Sequence, residues 1–135
     1  MDWADQWCIS SPTFSILING SPFGSISPSR GLRQGDPLSP FLFILGTEVL
    51  SHLLVNAENN GSFKGFPLAR TCPRVSHLLF ADDLIIFAQA SVVDVGVIQS
   101  CIDKYQECSG QLVNVKKSAI MFTHKVPWSC QRAFC

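Results

Sequence analysis

The apolar positions of this chain change period several times, and each change marks an element. Phe14-Ser15-Ile16-Leu17-Ile18 is rich in β-branched and aromatic side chains and runs into Asn19-Gly20. That composition predicts a strand over 14–18. Asn and Gly both tolerate positive φ, so a hairpin with a return strand near 23–27 is expected, weakened by Pro22 and Gly24. Residues 28–36, Pro-Ser-Arg-Gly-Leu-Arg-Gln-Gly-Asp, read as a loop whose Gly31 and Gly35 permit unusual backbone angles and close approach to a ligand. A helix follows. Asp36 can cap it ahead of Pro37, or Ser39 ahead of Pro40. Its body, 41 to about 55, is apolar on almost every side, which predicts deep burial, and Asn59-Asn60-Gly61-Ser62 ends it.

Residues 63–74, with Gly65, Pro67 and Pro73, have no period. A second hairpin is expected next: a strand over 75–80, a turn at Ala81-Asp82-Asp83, and a strand over 84–88. Ser91 is a good N-cap, with Asp94 three residues on. Val95, Ile98, Ile102 and Tyr105 then recur at helical spacing, and Gly110 stops the helix. Strands over 112–115 and 119–122 flank Lys116-Lys117-Ser118, and nothing periodic follows Thr123. The order β-β-α-β-β-α-β-β places the chain in the α+β class, with an antiparallel sheet and helices packed on one face. There is no internal repeat and no low-complexity segment.

At 135 residues the chain has room for one domain. Hydrophobic residues make up 47% and charged residues 15%, a balance that excludes a disordered chain and requires a core. Ten basic residues cancel ten acidic ones. Phosphate neutralisation supplies most non-specific nucleic-acid affinity, so any such role must rest on a local site. Low charge and high apolarity also fit a piece of something larger. None of the six cysteines forms a CxxC pair, which argues against zinc. The acidic, aromatic start Met1-Asp2-Trp3-Ala4-Asp5 is unlike a secretory signal, so reduced intracellular thiols are expected. No uninterrupted apolar run reaches the roughly 18–20 residues of a membrane span, and no membrane role is expected.

The most informative residues are Asp82 and Asp83. Two adjacent carboxylates repel each other, and burying them between apolar strands would call for a compensating cation. Hard oxygen donors suit Mg²⁺, and two such ions about 4 Å apart can clamp the attacking and leaving oxygens of a phosphoryl transfer. An Asp-Asp turn alone also fits an ordinary solvated hairpin, because Asp side chains bond their own backbone. The surrounding string decides between them. Phe80-Ala81-Asp82-Asp83, set in Leu78-Leu79 and Leu84-Ile85-Ile86, resembles the metal-binding hairpin of reverse transcriptases, their motif C.

Two further strings agree. Arg30-Gly31-Leu32-Arg33-Gln34-Gly35-Asp36-Pro37-Leu38-Ser39-Pro40 is a glycine loop feeding a helix N-terminus, where N–H groups and the helix dipole favour phosphate. It resembles motif B of reverse transcriptases from LINE-type (non-LTR) retrotransposons. The 109–118 string, Ser-Gly-Gln-Leu-Val-Asn-Val-Lys-Lys-Ser, is similar to motif D. The 14–20 hairpin resembles the segment before motif B in plant elements.

The resemblance implies a partial polymerase palm over residues 1–122, carrying motifs B, C and D, and an irregular tail over 123–135. It implies an RNA-directed DNA polymerase that works by two-metal nucleotidyl transfer. Asp82 and Asp83 would hold Mg²⁺ or Mn²⁺. Lys117 would sit near the triphosphate as a proton donor to the leaving pyrophosphate. Arg33, Gln34, Gly35, Ser39, Pro40, Phe80 and Ala81 would line the nucleotide and template. Partners would be an RNA template, a DNA primer and a dNTP. A working element would act in the nucleus, whereas a relic can sit in an organellar genome.

The family's motif A supplies another metal-binding aspartate on an upstream strand. Here only Asp2 and Asp5 precede Gln34, neither follows a strand-like run, and both are expected to cap or solvate a short N-terminal helix. Fingers, thumb and accessory nuclease domains also have no room. The expectation is a fragment inactive alone, with a non-catalytic nucleic-acid-binding remnant or a non-functional retroelement relic as the alternatives.

Overall fold

The computed structural model describes residues 11–28, 31–69 and 71–134. The expected helix around Asp2 and Asp5, and Arg30 of the glycine loop, lie outside them. The chain divides into two compact units, Met1–Leu45 and Gly46–Cys135, with the boundary inside a helix.

In the first unit β1 (Phe14–Ile18) pairs antiparallel with β2 (Ser21–Ile26). The ladder closes at Ile18 and Ser21 around Asn19 (φ 49°) and Gly20 (φ 82°). Both loop residues are left-handed, as a primed hairpin turn requires. Ile16 faces Phe23 and Phe14 faces Ile26, so β2 carries one extra residue between them. Gly24, at φ 75°, lies in that bulge. The glycine that weakened the strand in sequence therefore belongs to it as a bulge residue. Every residue of β1 and β2 is exposed.

Helix α1 (Ser39–Asn59) spans the boundary. Both candidate starts contribute. Ser39 is the first helical residue with Pro40 in the first turn, where a missing N–H costs nothing. One turn earlier the Asp36 carboxylate accepts from the Leu38 N–H at 2.8 Å. The helix runs a turn past the expected 55 and closes through Gly61 (φ 71°). There the Gly61 N–H donates to the Glu58 carbonyl and the Ser62 N–H to the Ala57 carbonyl, both at 2.9 Å, a Schellman closure.

The expected deep burial of this helix is not observed. Leu50 and Leu54 are buried, but Phe41 is 70% and Leu45 67% exposed. The second unit has one small core, and only the helix face carrying Leu50 and Leu54 meets it. Leu42 and Phe43 are half-buried, and Ile44 and Val49 are exposed. By length and composition alone α1 is also apolar enough to cross a membrane, a test that core helices pass too.

In the second unit β3 (Phe66–Pro67) pairs with β4 (Arg74–Val75), and β5 (His77–Phe80) with β6 (Asp83–Ile86), both antiparallel. Among the described residues antiparallel pairing thus falls into three separate two-stranded ladders. Helix α2 (Val92–Ser109) is capped as its sequence predicts. The Ser91 hydroxyl accepts from the Val93 N–H at 3.3 Å, and Gly110 (φ 69°) ends the helix. Of the expected face, Tyr105 is in the core and Ile98 packs against it, Ile102 is half-buried, and Val95 is exposed. Asp94 and Cys101 are buried as well. The Asp94 carboxylate accepts from the Lys64 N–H at 3.1 Å, so a polar residue occupies the inner face with its bond satisfied.

Leu50, Leu54, Phe63, Cys101 and Tyr105 form the core. Leu84 and Ile86 of β6 pack onto it while Ile85 between them is exposed, the alternation of a half-buried strand. The helices therefore cover one face of the β5–β6 hairpin, and the mixed α+β class holds.

Residues 112–115 and 119–122, expected as strands, form no ladder. Leu112 and Val115 are exposed, and Met121 is 93% exposed. A strand exists only by pairing, and these segments meet no partner edge among the described residues. Beyond Thr123 a short α3 (Trp128–Gln131) leads into a 3₁₀ turn (Arg132–Phe134). The Phe134 ring lies 5.6 Å from that of Phe122.

Candidate functional site

The carboxylate pair stands at the tip of the β5–β6 hairpin. Phe80 pairs with Asp83, leaving Ala81 and Asp82 as a two-residue loop. Asp83 therefore begins β6 instead of completing the turn. Ala81 has φ 50°, a left-handed conformation unusual for a residue with a Cβ. Strain of this kind costs on the order of 1–2 kcal/mol and is held in place by the ladder on either side.

Asp82 and Asp83 are both exposed. The expected burial of the pair, and with it the need for a cation to offset desolvation, is not observed. At the hairpin tip water solvates them. Phe80, the strand partner of Asp83, is 82% exposed. Among the described residues no third Asp, Glu, His or Cys gathers into a metal-binding cluster. Two adjacent carboxylates fit one part of a Mg²⁺ site, because Mg²⁺ keeps several waters and commonly takes one or two carboxylates plus substrate phosphates.

The hairpin is fixed from below. Leu84 and Ile86 seat β6 on the core, and the Phe87 N–H donates to the Ser76 carbonyl at 2.8 Å. His77, at the start of β5, lies between two hydroxyls. Its Nε2 is 2.7 Å from Ser51 Oγ on α1, and its Nδ1 is 3.0 Å from Ser76 Oγ. Burial lowers the His77 pKa below its usual 6.5, opposed by the charges of Glu58 and Glu48. In sequence His77 is one strand residue among several, and Ser51, its partner on α1, carries no local signal.

In the first unit the glycine loop is closed by its own bonds. The Arg33 carbonyl accepts from the Ser39 hydroxyl at 2.6 Å and from the Asp36 N–H at 3.4 Å. The Ser39 N–H donates to the Asp36 carbonyl at 3.2 Å. Arg33, Gln34, Gly35 (φ 86°) and Pro40 are exposed, whereas Ser39 is half-buried. In the second unit, exposed Lys117 lies in a turn in which its N–H and the Ser118 hydroxyl both donate to the Asn114 carbonyl at 3.0 Å.

The model of the reverse transcriptase (RNA-dependent DNA polymerase) family matches residues 2–131. An uncharacterized mitochondrial protein of Arabidopsis thaliana is 60% identical over 68 residues, 50% of this chain and 56% of that protein. The retrovirus-related Pol polyprotein from the type-1 retrotransposable element R2 of Popillia japonica is 32% identical over 111 residues, 82% of this chain and 15% of the polyprotein. The uncharacterized 149 kDa protein of transposon TX1 from Xenopus laevis is 34% identical over 104 residues, 77% of this chain and 8% of that protein. The chain thus spans about half of the first relative and a small part of the other two. Reverse transcriptases use divalent metal ions and act on nucleic-acid templates and primers. With a family match across nearly its whole length and retrotransposon proteins among its relatives, this chain belongs to the reverse transcriptase (RNA-dependent DNA polymerase) family.

Proposed function

We propose that this chain is the part of an RNA-directed DNA polymerase palm that carries motifs B, C and D over residues 1–122. It supplies a nucleotide loop from its first unit and two carboxylates and a lysine from its second. The observation that carries this reading is the exposed Asp82–Asp83 pair on a hairpin whose other end is packed on the core. Preorganised carboxylates of this kind suit a Mg²⁺ or Mn²⁺ ion shared with a dNTP triphosphate. When bound, such ions lower the charge cost of nucleotidyl transfer between a DNA primer and a dNTP on an RNA template.

This chain's own residues would bind and orient. Asp82 and Asp83 hold the ions. Phe80 and Ala81 border them. Arg33, Gln34, Gly35 and Pro40 line the nucleotide and template, and Lys117 provides a proton to the departing pyrophosphate. Carboxylates from separate strands are needed to fix both ions, and losing one costs rate at about tenfold per 1.4 kcal/mol.

Two measurements test the reading. Mn²⁺ bound in the presence of dNTP, followed by electron paramagnetic resonance, should fall in Asp82→Ala and Asp83→Ala. Binding unchanged in both variants would sink the metal assignment. Primer extension by the purified chain should yield no template-dependent cDNA above the Asp82→Ala control. Product above that control would show that the chain suffices alone.

A further inference from the structure

We propose that Ser39 is a positioning residue for the 33–36 loop and not a contact to nucleotide or template; this rests on the nucleic-acid reading of that loop. The Ser39 hydroxyl carries one proton, and that proton is committed to the Arg33 carbonyl at 2.6 Å. A phosphate oxygen needs donors, and this hydroxyl has none left to give. What the bond does is internal. It ties the first residue of α1 back across the loop to the residue before Gln34.

Three more bonds act on the same few residues. The Asp36 N–H reaches the Arg33 carbonyl at 3.4 Å, and the Ser39 N–H reaches the Asp36 carbonyl at 3.2 Å. The Asp36 carboxylate holds the Leu38 N–H at 2.8 Å. Between these anchors Gly35 sits at φ 86°, a conformation that L side chains rarely adopt. The Gln34 side chain and the loop's remaining polar groups are exposed. The ligand face therefore consists of Arg33, Gln34 and the Gly35 backbone. The hydroxyl behind them fixes their direction, and the ligand class is a phosphate-bearing strand or triphosphate.

The full-length chain, Ser39→Ala and Ser39→Thr separate this role from direct contact. Hydrogen exchange of amides 34, 35, 36 and 38 is measured without ligand, with amides of α2 as the folding control. Ser39→Ala should exchange roughly tenfold faster in the loop alone, the scale of one lost hydrogen bond, and Ser39→Thr should match wild type. A fluorescein-labelled RNA–DNA duplex, followed by anisotropy, should bind several-fold more weakly to Ser39→Ala and as wild type to Ser39→Thr.

Loop exchange unchanged in Ser39→Ala overturns the proposal, since a mere ligand contact leaves the free loop unaltered. Faster exchange with unchanged duplex binding also overturns it, leaving only a structural brace. Absence of duplex binding by the wild-type chain sinks the nucleic-acid reading and the positioning role together. That failure is recognisable because the exchange difference between the two variants persists.

Discussion

Ser51 on α1 and His77 on β5 are joined by a 2.7 Å hydrogen bond between residues 26 apart in sequence. The bond links the helix to the strand that leads to Asp82. Because Ser76 holds the other ring nitrogen at 3.0 Å, the neutral imidazole donates to one hydroxyl and accepts from the other. Burial depresses the His77 pKa, so the folded chain resists a proton that the unfolded chain accepts near pH 6.5. Stability should therefore fall as pH drops below about 6.5 and level off beneath the folded-state pKa. Glu58 and Glu48 act in the opposite sense and reduce the effect. Urea unfolding of wild type and His77→Gln between pH 7.5 and 5 checks it. The variant should lose less stability on acidification than wild type, and parallel curves would refute the assignment.

Gly65 sits where no side chain fits. A Cβ there would lie 2.6 Å from the Val75 carbonyl oxygen and 2.6 Å from Glu58 Oε1. The first of these is backbone in the β3–β4 ladder and cannot move without opening the pair. The same glycine donates its N–H to Glu58 and accepts from Arg74 Nη1, both at 3.1 Å. Gly65→Ala should destabilise the chain by about 1–3 kcal/mol, the range for overpacking a filled site. Denaturant unfolding measures this; a stability within about 0.5 kcal/mol of wild type, as at an unremarkable surface site, would contradict the contact.

Local chemistry was legible in the sequence wherever one residue sufficed to specify it. Asn19-Gly20 announced a hairpin, Ser91 and Gly110 the two ends of α2, and two adjacent acids between apolar strands the tip at Asp82. What stayed hidden depends on residues far apart or on surfaces elsewhere. The α1 pattern reads as buried all round because sequence records how apolar a face is and not what covers it. Strands at 112–115 and 119–122 need a partner edge that their own residues cannot supply. Asp94 broke the helix-face assignment because its inward position depends on the Lys64 N–H, 30 residues away. Ser39 matched a motif, but only the folded loop revealed that its hydroxyl is engaged by Arg33.

Cys101 is buried among Leu50, Leu54 and Tyr105, with its Sγ 3.8 Å from the Leu53 carbonyl. Burial raises its pKa, opposed by the charge of Lys104. Cys72, Cys108 and Cys130 are free and exposed. Only the thiolate alkylates, so Cys101 is slowed both by access and by its lower thiolate fraction. At pH 8, iodoacetamide should label the three exposed thiols roughly tenfold faster than Cys101, which burial shields from the reagent. Peptide mass spectrometry resolves the sites. In urea the difference should vanish, and equal rates in buffer would mean that this core is open.

Ala81 bears the conformational cost of the hairpin tip. Its φ of 50° is one that glycine takes freely and that β-branched residues resist most. Two opposing effects decide Ala81→Gly. Relief of the left-handed conformation stabilises by about 1–2 kcal/mol, and the added freedom of the unfolded chain takes back about 0.4–1 kcal/mol. The net should be a small gain in stability. Ala81→Val has no such relief and should lose about 1–3 kcal/mol, the scale of a strained backbone position. Urea unfolding ranks the three chains as Gly, Ala, Val in falling stability. Because Asp82 is the other loop residue and Asp83 opens β6, the valine variant should also bind Mn²⁺ more weakly, through displaced carboxylates rather than lost ones. A valine variant as stable as wild type would mean that Ala81 is not held in the left-handed region and that the tip is free to rearrange.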